Sequence, residues 1–156
     1  MTGPEFVYET YIRAAPGDVW KALTSAEFTS RYFYATRVES SWQPGDPVYY
    51  RYEDGETAAV EGEVIDAEPP HRLVISWHVL YDEAAAKEAP SRVAFHLKAM
   101  NGQTRLRIVH DRFPGESVVF DGIRSGWPWI LAGLKSLLET GEALPAVRTA
   151  QQSPGR

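Results

Sequence analysis

The chain contains no cysteine, which removes disulfides, thiolate nucleophiles and cysteine-ligated metals from the readings open to it. It has no excess of positive charge either. Its 16 Lys and Arg stand against 21 Asp and Glu, a formal charge of -5, with a pI near 5.4. Phosphate backbones are held by concentrated Lys and Arg, so no nucleic-acid partner is expected. No apolar run reaches the roughly 20 residues that span a bilayer. The opening MTGPEFVYET lacks a basic segment followed by an apolar one, and the sequence predicts a cytoplasmic protein without membrane insertion. Motifs of nucleotide and hydrolytic chemistry are missing as well. There is no GxGxxG, no P-loop, no GxSxG and no HExxH, and no two histidines stand four residues apart. Neither a metal nor a cofactor is expected.

Aromatic residues, by contrast, are plentiful. The chain of 156 residues carries 5 Trp, 8 Tyr and 6 Phe, and 44% of it is hydrophobic, enough for one domain with one core. Such rings fill cores, and they also line the pockets of small ligands; composition does not separate the two.

The organising stretch is Ser117 to Gly141. Its residues Phe120, Ile123, Trp127, Ile130, Leu131, Leu134, Leu137 and Leu138 recur at spacings of three and four, the stripe of a helix laid against a core. A stripe with these large residues needs a broad concave partner. The middle of the chain supplies one. Phe6 to Arg13 reads as a first strand, and Pro16 opens a helix carrying Val19, Trp20 and Leu23. Ser25 is placed to cap a second short helix through Arg31. Strands then follow at Thr36 to Trp42, Val48 to Glu53, Ala58 to Glu68, Arg72 to Val79, Ser91 to Met100 and Thr104 to Asp111, divided by turn residues. Asn101-Gly102 marks a tight hairpin, Gly62 a bend or bulge, and Asp82 to Lys87 a helical turn. The fold class is α+β, a curved antiparallel sheet of six to seven strands wrapped around a long C-terminal helix, with two short helices after the first strand. Residues 1–143 are expected to form the domain and residues 144–156 a disordered tail.

Three pieces carry a family resemblance. They are Ala15-Pro16-x-x-Val19-Trp20-x-Ala22-Leu23-Thr24, then Gly62-x-Val64 leading to Pro69-Pro70-x-Arg72-Leu73-x-x-x-Trp77, then Gly126-Trp127-x-x-Ile130-Leu131-x-x-Leu134-x-x-Leu137-Leu138-Glu139. Together they resemble the SRPBCC (START-like, Bet v 1-like) superfamily, and within it the bacterial homologues of the heat-shock-protein-90 ATPase activator. The resemblance spans about Val7 to Gly141 and implies a helix-grip fold with a deep cavity between sheet and last helix. It does not fix a chemistry, because this superfamily serves ligand carriage, cyclisation and chaperone contact alike.

The inward rows of the strands and the stripe of the last helix converge on one candidate site: Tyr50, Tyr52, Trp77, Phe95, Ile108 and His110 from the sheet, with Trp127, Leu131 and Leu134 from the helix. They offer apolar area with a few polar tips, as a site for a small hydrophobic ligand, aromatic or acyl, would; a filled core would look the same. His110 alone among the four histidines shares the parity of an inward row, so it either meets a ligand or is hydrogen-bonded at its strand end. The leading expectation is a ligand-binding protein rather than an enzyme. The rivals are a cyclase or aromatase using His110 and a tyrosine as acid and base, and a module that contacts a chaperone or regulator. An empty space of a few hundred Å³ would favour a ligand and a closed core a partner. Pro128 is expected to kink or break the last helix around Ser125 to Trp127. Trp129 falls about 180° from the middle of the stripe and is expected to meet the N-terminal helices, a second subunit or another protein.

Overall fold

A computed structural model describes residues 3–145. The tail expected from residue 144 onward lies, past residue 145, outside the described residues. The order is β1 (Phe6–Ile12), α1 (Pro16–Thr24), α2 (Ala26–Tyr32), β2 (Arg37–Glu39), β3 (Pro47–Arg51), β4 (Ala58–Glu68), β5 (Arg72–Val79), α3 (Glu83–Ala86), β6 (Ser91–Met100), β7 (Gln103–Asp111) and α4 (Val118–Thr140). The strands form one 7-stranded antiparallel sheet in the order β1-β7-β6-β5-β4-β3-β2, so the first strand closes against the last. This is the helix-grip arrangement. Its concave rows, Leu73, Ile75 and Trp77, then Val93, Phe95 and Leu97, then Leu106, Ile108 and His110, are all buried beneath α4.

Several expectations change in detail. The strand expected over Thr36 to Trp42 pairs only from Arg37 to Glu39. Thr36 is instead bound into a turn, and Trp42 takes a left-handed backbone (φ 62°) that lets its indole donate to the carbonyl of Thr24 at 3.1 Å. Ser25 stands at the N-cap of α2, but its side chain makes no capping bond. The bulge foreseen at Gly62 falls at Ile65, between Val64 and Asp66. Gly62 has a different reason. A Cβ there would lie 1.9 Å from the carbonyl oxygen of Ser76, while the Ser76 hydroxyl accepts from the amide of Glu63 at 2.9 Å. The two strands approach too closely for any side chain at 62.

Helix α4 runs unbroken from Val118 to Thr140, with Pro128 inside it. The break expected around Ser125 to Trp127 is absent. A proline removes one N–H from the ladder and crowds the carbonyl four residues back. Here that carbonyl belongs to the exposed Arg124, while Trp127, Ile130, Leu131 and Leu134 just beyond are nearly or wholly buried, so packing offsets the lost bond. The helix is also tied at both ends. The Glu88 carboxylate accepts from the Ser117 hydroxyl and the Val118 amide, both at 2.7 Å, and Ser117 caps the amide of Phe120 at 2.9 Å. At the far end Glu139 accepts from the Arg13 amide at 2.8 Å and from Lys135 at 2.7 Å, which also reaches the carbonyl of Tyr11. Gly141 closes the helix with its amide on Leu137.

The strand contact at Gly62 generates a direct test. Gly62→Ala is expected to lose at least about 2 kcal/mol of stability, because the clash is with backbone and neither strand can move without spoiling its neighbours. Ser76→Ala, which only removes the bond to Glu63, is expected to lose about 1 kcal/mol. Urea unfolding midpoints of the two variants compare them; equal losses would mean that the close approach is not the constraint at Gly62.

Candidate functional site

The core beneath α4 is organised by a chain of hydrogen bonds that ends in backbone. The Trp127 indole N–H donates to Nδ1 of His110 at 3.0 Å. With Nδ1 an acceptor, the ring's own proton must sit on Nε2, which lies 2.8 Å from the Ser91 hydroxyl. Ser91 then donates to the carbonyl of Trp77 at 3.3 Å. Each group has one role. His110 is fully buried, and burial pushes its pKa down to about 3, against a smaller upward pull from the Asp111 carboxylate. The imidazole is therefore neutral, with both nitrogens occupied. The Ser91–His110 pair resembles a nucleophile and its base, but the tautomer is wrong for that role: Nε2 already carries the proton it would have to accept.

Around this chain lies a continuous set of aromatic rings. Phe33 meets Tyr50 at 4.8 Å, Trp77 at 6.1 Å and Trp127 at 5.7 Å between ring centres; Tyr50 meets Trp77 at 5.2 Å, and Trp77 meets Trp127 at 5.3 Å. Tilted and edge-on contacts of this kind add about 0.5–1.5 kcal/mol each beyond area burial. Burial holds the Tyr50 phenol well above its usual pKa, so it stays a hydrogen-bond donor.

The rings do not close everywhere. Between the sheet, the turn after α2 and the first half of α4 a cleft remains, walled by Phe33, Tyr34, Tyr50, Trp77, Tyr81 and Trp127, with Thr36, Ala59, Val60, Gly122, Ile123, Gly126 and Ile130 between them. About 30 Å³ of it is wide enough for water, room for about two molecules. The lining contains no carboxylate, imidazole or cationic group.

Of the nine expected site residues, Tyr50, Trp77 and Trp127 line the cleft. Phe95, Ile108, Leu131 and Leu134 are buried in the closed core beside it, and His110 binds Trp127 from behind. Tyr52 stands apart. Strand β3 ends at Arg51 with a register shift after Tyr50, so the alternation that grouped Tyr52 with Tyr50 no longer applies; Tyr52 is half-buried and its hydroxyl has no partner. Periodicity missed the loop residues Phe33, Tyr34, Thr36 and Tyr81. The signals present were the aromatic run Tyr32-Phe33-Tyr34 and the glycines Gly122 and Gly126, one helical turn apart.

Trp129 does not stand in water. Its indole stacks on Tyr34 at 5.0 Å and 17°, so it meets the turn that directly follows the second N-terminal helix. That turn is strained. Tyr34 and Ala35 both hold left-handed backbones (φ 51° and 58°), a conformation that disfavours a side chain by about 1–2 kcal/mol per residue. The Phe33 carbonyl fastens the turn, accepting from the Thr36 amide at 2.9 Å and the Thr36 hydroxyl at 2.6 Å.

Comparison with known proteins agrees with this architecture. The family model described as "Activator of Hsp90 ATPase homolog 1-like protein" matches residues 13–139. No curated protein sequence matches the chain. Among solved structures it is similar to the Aha1 dimer from Colwellia psychrerythraea, at 17% identity over 90% of this chain and 99% of that one, with a TM-score of 0.72. An HSP90 activator from Plasmodium falciparum, PFC0360w, shares 19% identity over 87% of this chain and 96% of that one, TM-score 0.72. DynU16, from the dynemicin biosynthetic locus, shares 21% over 89% of this chain and 48% of that one, TM-score 0.71. At these identities the structures speak for the fold. The family match covers most of the domain, and the chain belongs to the Activator of Hsp90 ATPase homolog 1-like protein family, within the SRPBCC superfamily.

Proposed function

We propose that the protein binds a small, mostly apolar ligand in the cleft between the sheet and α4. The observation that supports this is the lining itself: six aromatic residues converge on a space that their own side chains leave partly open. Apolar contact supplies the affinity. Burying about 200 Å² of apolar ligand surface would contribute about 5 kcal/mol before ordering costs. The phenols and Thr36 supply the polar tips. The space, room for about two waters, falls short of the few hundred Å³ that favours a ligand over a partner, so the ligand reading requires the cleft to widen on binding. A chaperone-contact role is the reading to which failure of the ligand test would turn. The exposed large apolar residues Val7, Tyr11, Ile65, Val118 and Leu144 lie on four separate parts of the chain, and Trp129 is already engaged.

A cyclase reading needs an acid or base at the cleft. The lining holds no carboxylate, imidazole or amine, and His110 serves the fold instead. Its folded pKa is depressed to about 3 from an ordinary 6.5, so below pH 6.5 the unfolded chain takes up a proton that the folded one refuses. Stability is then lost as pH falls, by about 1.4 kcal/mol per pH unit from this group. His96 contributes in the same direction, its pKa lowered by burial and by Arg72, Arg107 and Arg105. Between pH 6.5 and 5, where carboxylates remain ionised, wild type is expected to lose stability with this slope, and His110→Phe to lose most of the slope. At pH 8 the variant should be weaker by about 1–3 kcal/mol, from the orphaned Trp127 N–H. Chemical denaturation at a series of pH values reads both.

The ligand reading is tested by titrating 2-naphthol, flavone and decanoic acid against wild type and Ala59→Ile, following tryptophan fluorescence. At least one compound is expected to bind wild type, and the added methyls in the cleft wall to weaken it at least about tenfold. Absence of binding across the panel would overturn the reading.

A further inference from the structure

We propose that one end of the sheet's convex face is a docking surface for an acidic segment of another protein. This face is turned away from the cleft, so its use does not depend on a ligand there. Strand register builds the surface. Arg72 on β5, His96 on β6 and Arg107 on β7 stand in one outward row across three neighbouring strands, with Glu68 and Glu9 at its two ends. One step nearer the Asn101-Gly102 hairpin, Lys98 stands opposite Arg105, with Tyr11 beside it on β1. Neighbouring strands lie about 4.8 Å apart and successive outward residues of one strand about 6.8 Å apart, so the four cations share an area of roughly 10 by 7 Å. The chain as a whole carries a formal charge of -5.

The way these charges are paired sets this end of the face apart from the other. At the far end Arg92 meets Asp111 in a fork, Nε to Oδ1 at 3.0 Å and Nη2 to Oδ2 at 2.8 Å, and is satisfied within the chain. Here Arg72 holds Asp66 through one nitrogen only, and Nε of Arg105, shielded from water, stands 3.5 Å from the Glu9 carboxylate without a hydrogen bond. Lys98 and Arg107 are exposed, and among the described residues no ion pair holds either of them. His96 lies amid the cations and registers their field: burial lowers its pKa first, and Arg72, Arg107 and Arg105 lower it further. On β1, Tyr11 and Val7 border the surface, 44% and 42% exposed.

The size and edges of the surface select the partner. Guanidinium forks match carboxylates in geometry, and unneutralised surface charge steers a partner of opposite sign. A membrane plane or a nucleic-acid strand carries its negative charge well past the edge of this area and would lie on Glu9, Glu68 and Asp66 too. A short protein segment can set a few carboxylates between those acids and lay apolar side chains on Tyr11 and Val7.

The test is fluorescence anisotropy of a labelled decapeptide, EELEELEELE, with the full chain, and circular dichroism checks folding. Wild type is expected to bind it at about 50 mM salt and to lose at least about tenfold in affinity at about 300 mM, as screening predicts. Lys98→Glu/Arg107→Glu is expected to weaken binding at low salt at least about tenfold. Arg31→Glu/Lys87→Glu makes the same change in net charge at exposed cations of α2 and the turn after α3, and should shift affinity less than about twofold. No binding by wild type at low salt would overturn the proposal. So would equal losses in the two double variants, which would reduce the effect to net charge. Tighter binding of a labelled oligothymidylate, or of phosphatidylserine-containing vesicles, that is lost in Lys98→Glu/Arg107→Glu would overturn the protein partner in favour of a polyanion or a membrane.

Discussion

A single proton on His110 holds the two layers of this protein in register. Because Trp127 donates to Nδ1, the ring must keep its hydrogen on Nε2, and because Ser91 lies against Nε2 and passes a hydrogen to the Trp77 carbonyl, the chain of donors runs in one direction from helix to sheet. Reversing any member would set two donors or two acceptors face to face inside a dry core. The arrangement fixes the rotation of α4 about its axis, since only one face of the helix can bring the indole N–H to His110. Fixing that rotation also decides which residues face the cleft: Gly122, Ile123, Gly126 and Ile130 follow from Trp127 by helical geometry.

The same constraint explains why the interior is divided into a closed part and an open part. Near His110 the packing is closed, and Phe95, Ile108, Leu131 and Leu134 are at most 1% exposed. Toward the start of α4 the helix carries small residues while the sheet still carries Tyr50 and Trp77, so the layers lack matching bulk. The rings of Phe33 and Tyr34 enter that gap from the turn after α2. Phe33 is integrated into the core; Tyr34 stacks on Trp129 and meets the edge of Phe33 at the rim, on a left-handed backbone.

Much of this was legible in the sequence, for reasons that differ between elements. Strands β6 and β7 alternate buried and less buried residues along most of their length, and β5 does so apart from Val74, which is buried on the other face, so register follows from the pattern. The stripe of α4 identified the core-facing side for the same reason. Parity also placed His110 inward, but the sequence could not show that Trp127 would claim its Nδ1, because that pairing depends on the axial position of one element over another. Alternation failed for Tyr52 where β3 ends and shifts register, and for Trp42, whose left-handed backbone is set by its bond to Thr24. It had nothing to say about Tyr34 and Tyr81, which lie in turns without a period. At Pro128 the break half of the expectation fails for a related reason. The rule that proline breaks a helix weighs one lost hydrogen bond against nothing, whereas here it is weighed against the packing of the next two turns.

The glycines separate what the fold demands from what the cleft demands. At Gly62 a Cβ would meet a backbone carbonyl at 1.9 Å, so the two strands leave no alternative. At Gly126 the nearest atom to a built Cβ is the Tyr34 hydroxyl at 3.5 Å, an ordinary contact, and the backbone there is helical. Alanine would fit, and by propensity alone it would stabilise the helix by about 1 kcal/mol. A side chain larger than alanine at 126 would run into the Tyr34 hydroxyl. Glycine at 126 leaves a bare stretch of helix in the cleft wall, beneath the Tyr34 hydroxyl. A protein that needed only a rigid core would gain from filling this space.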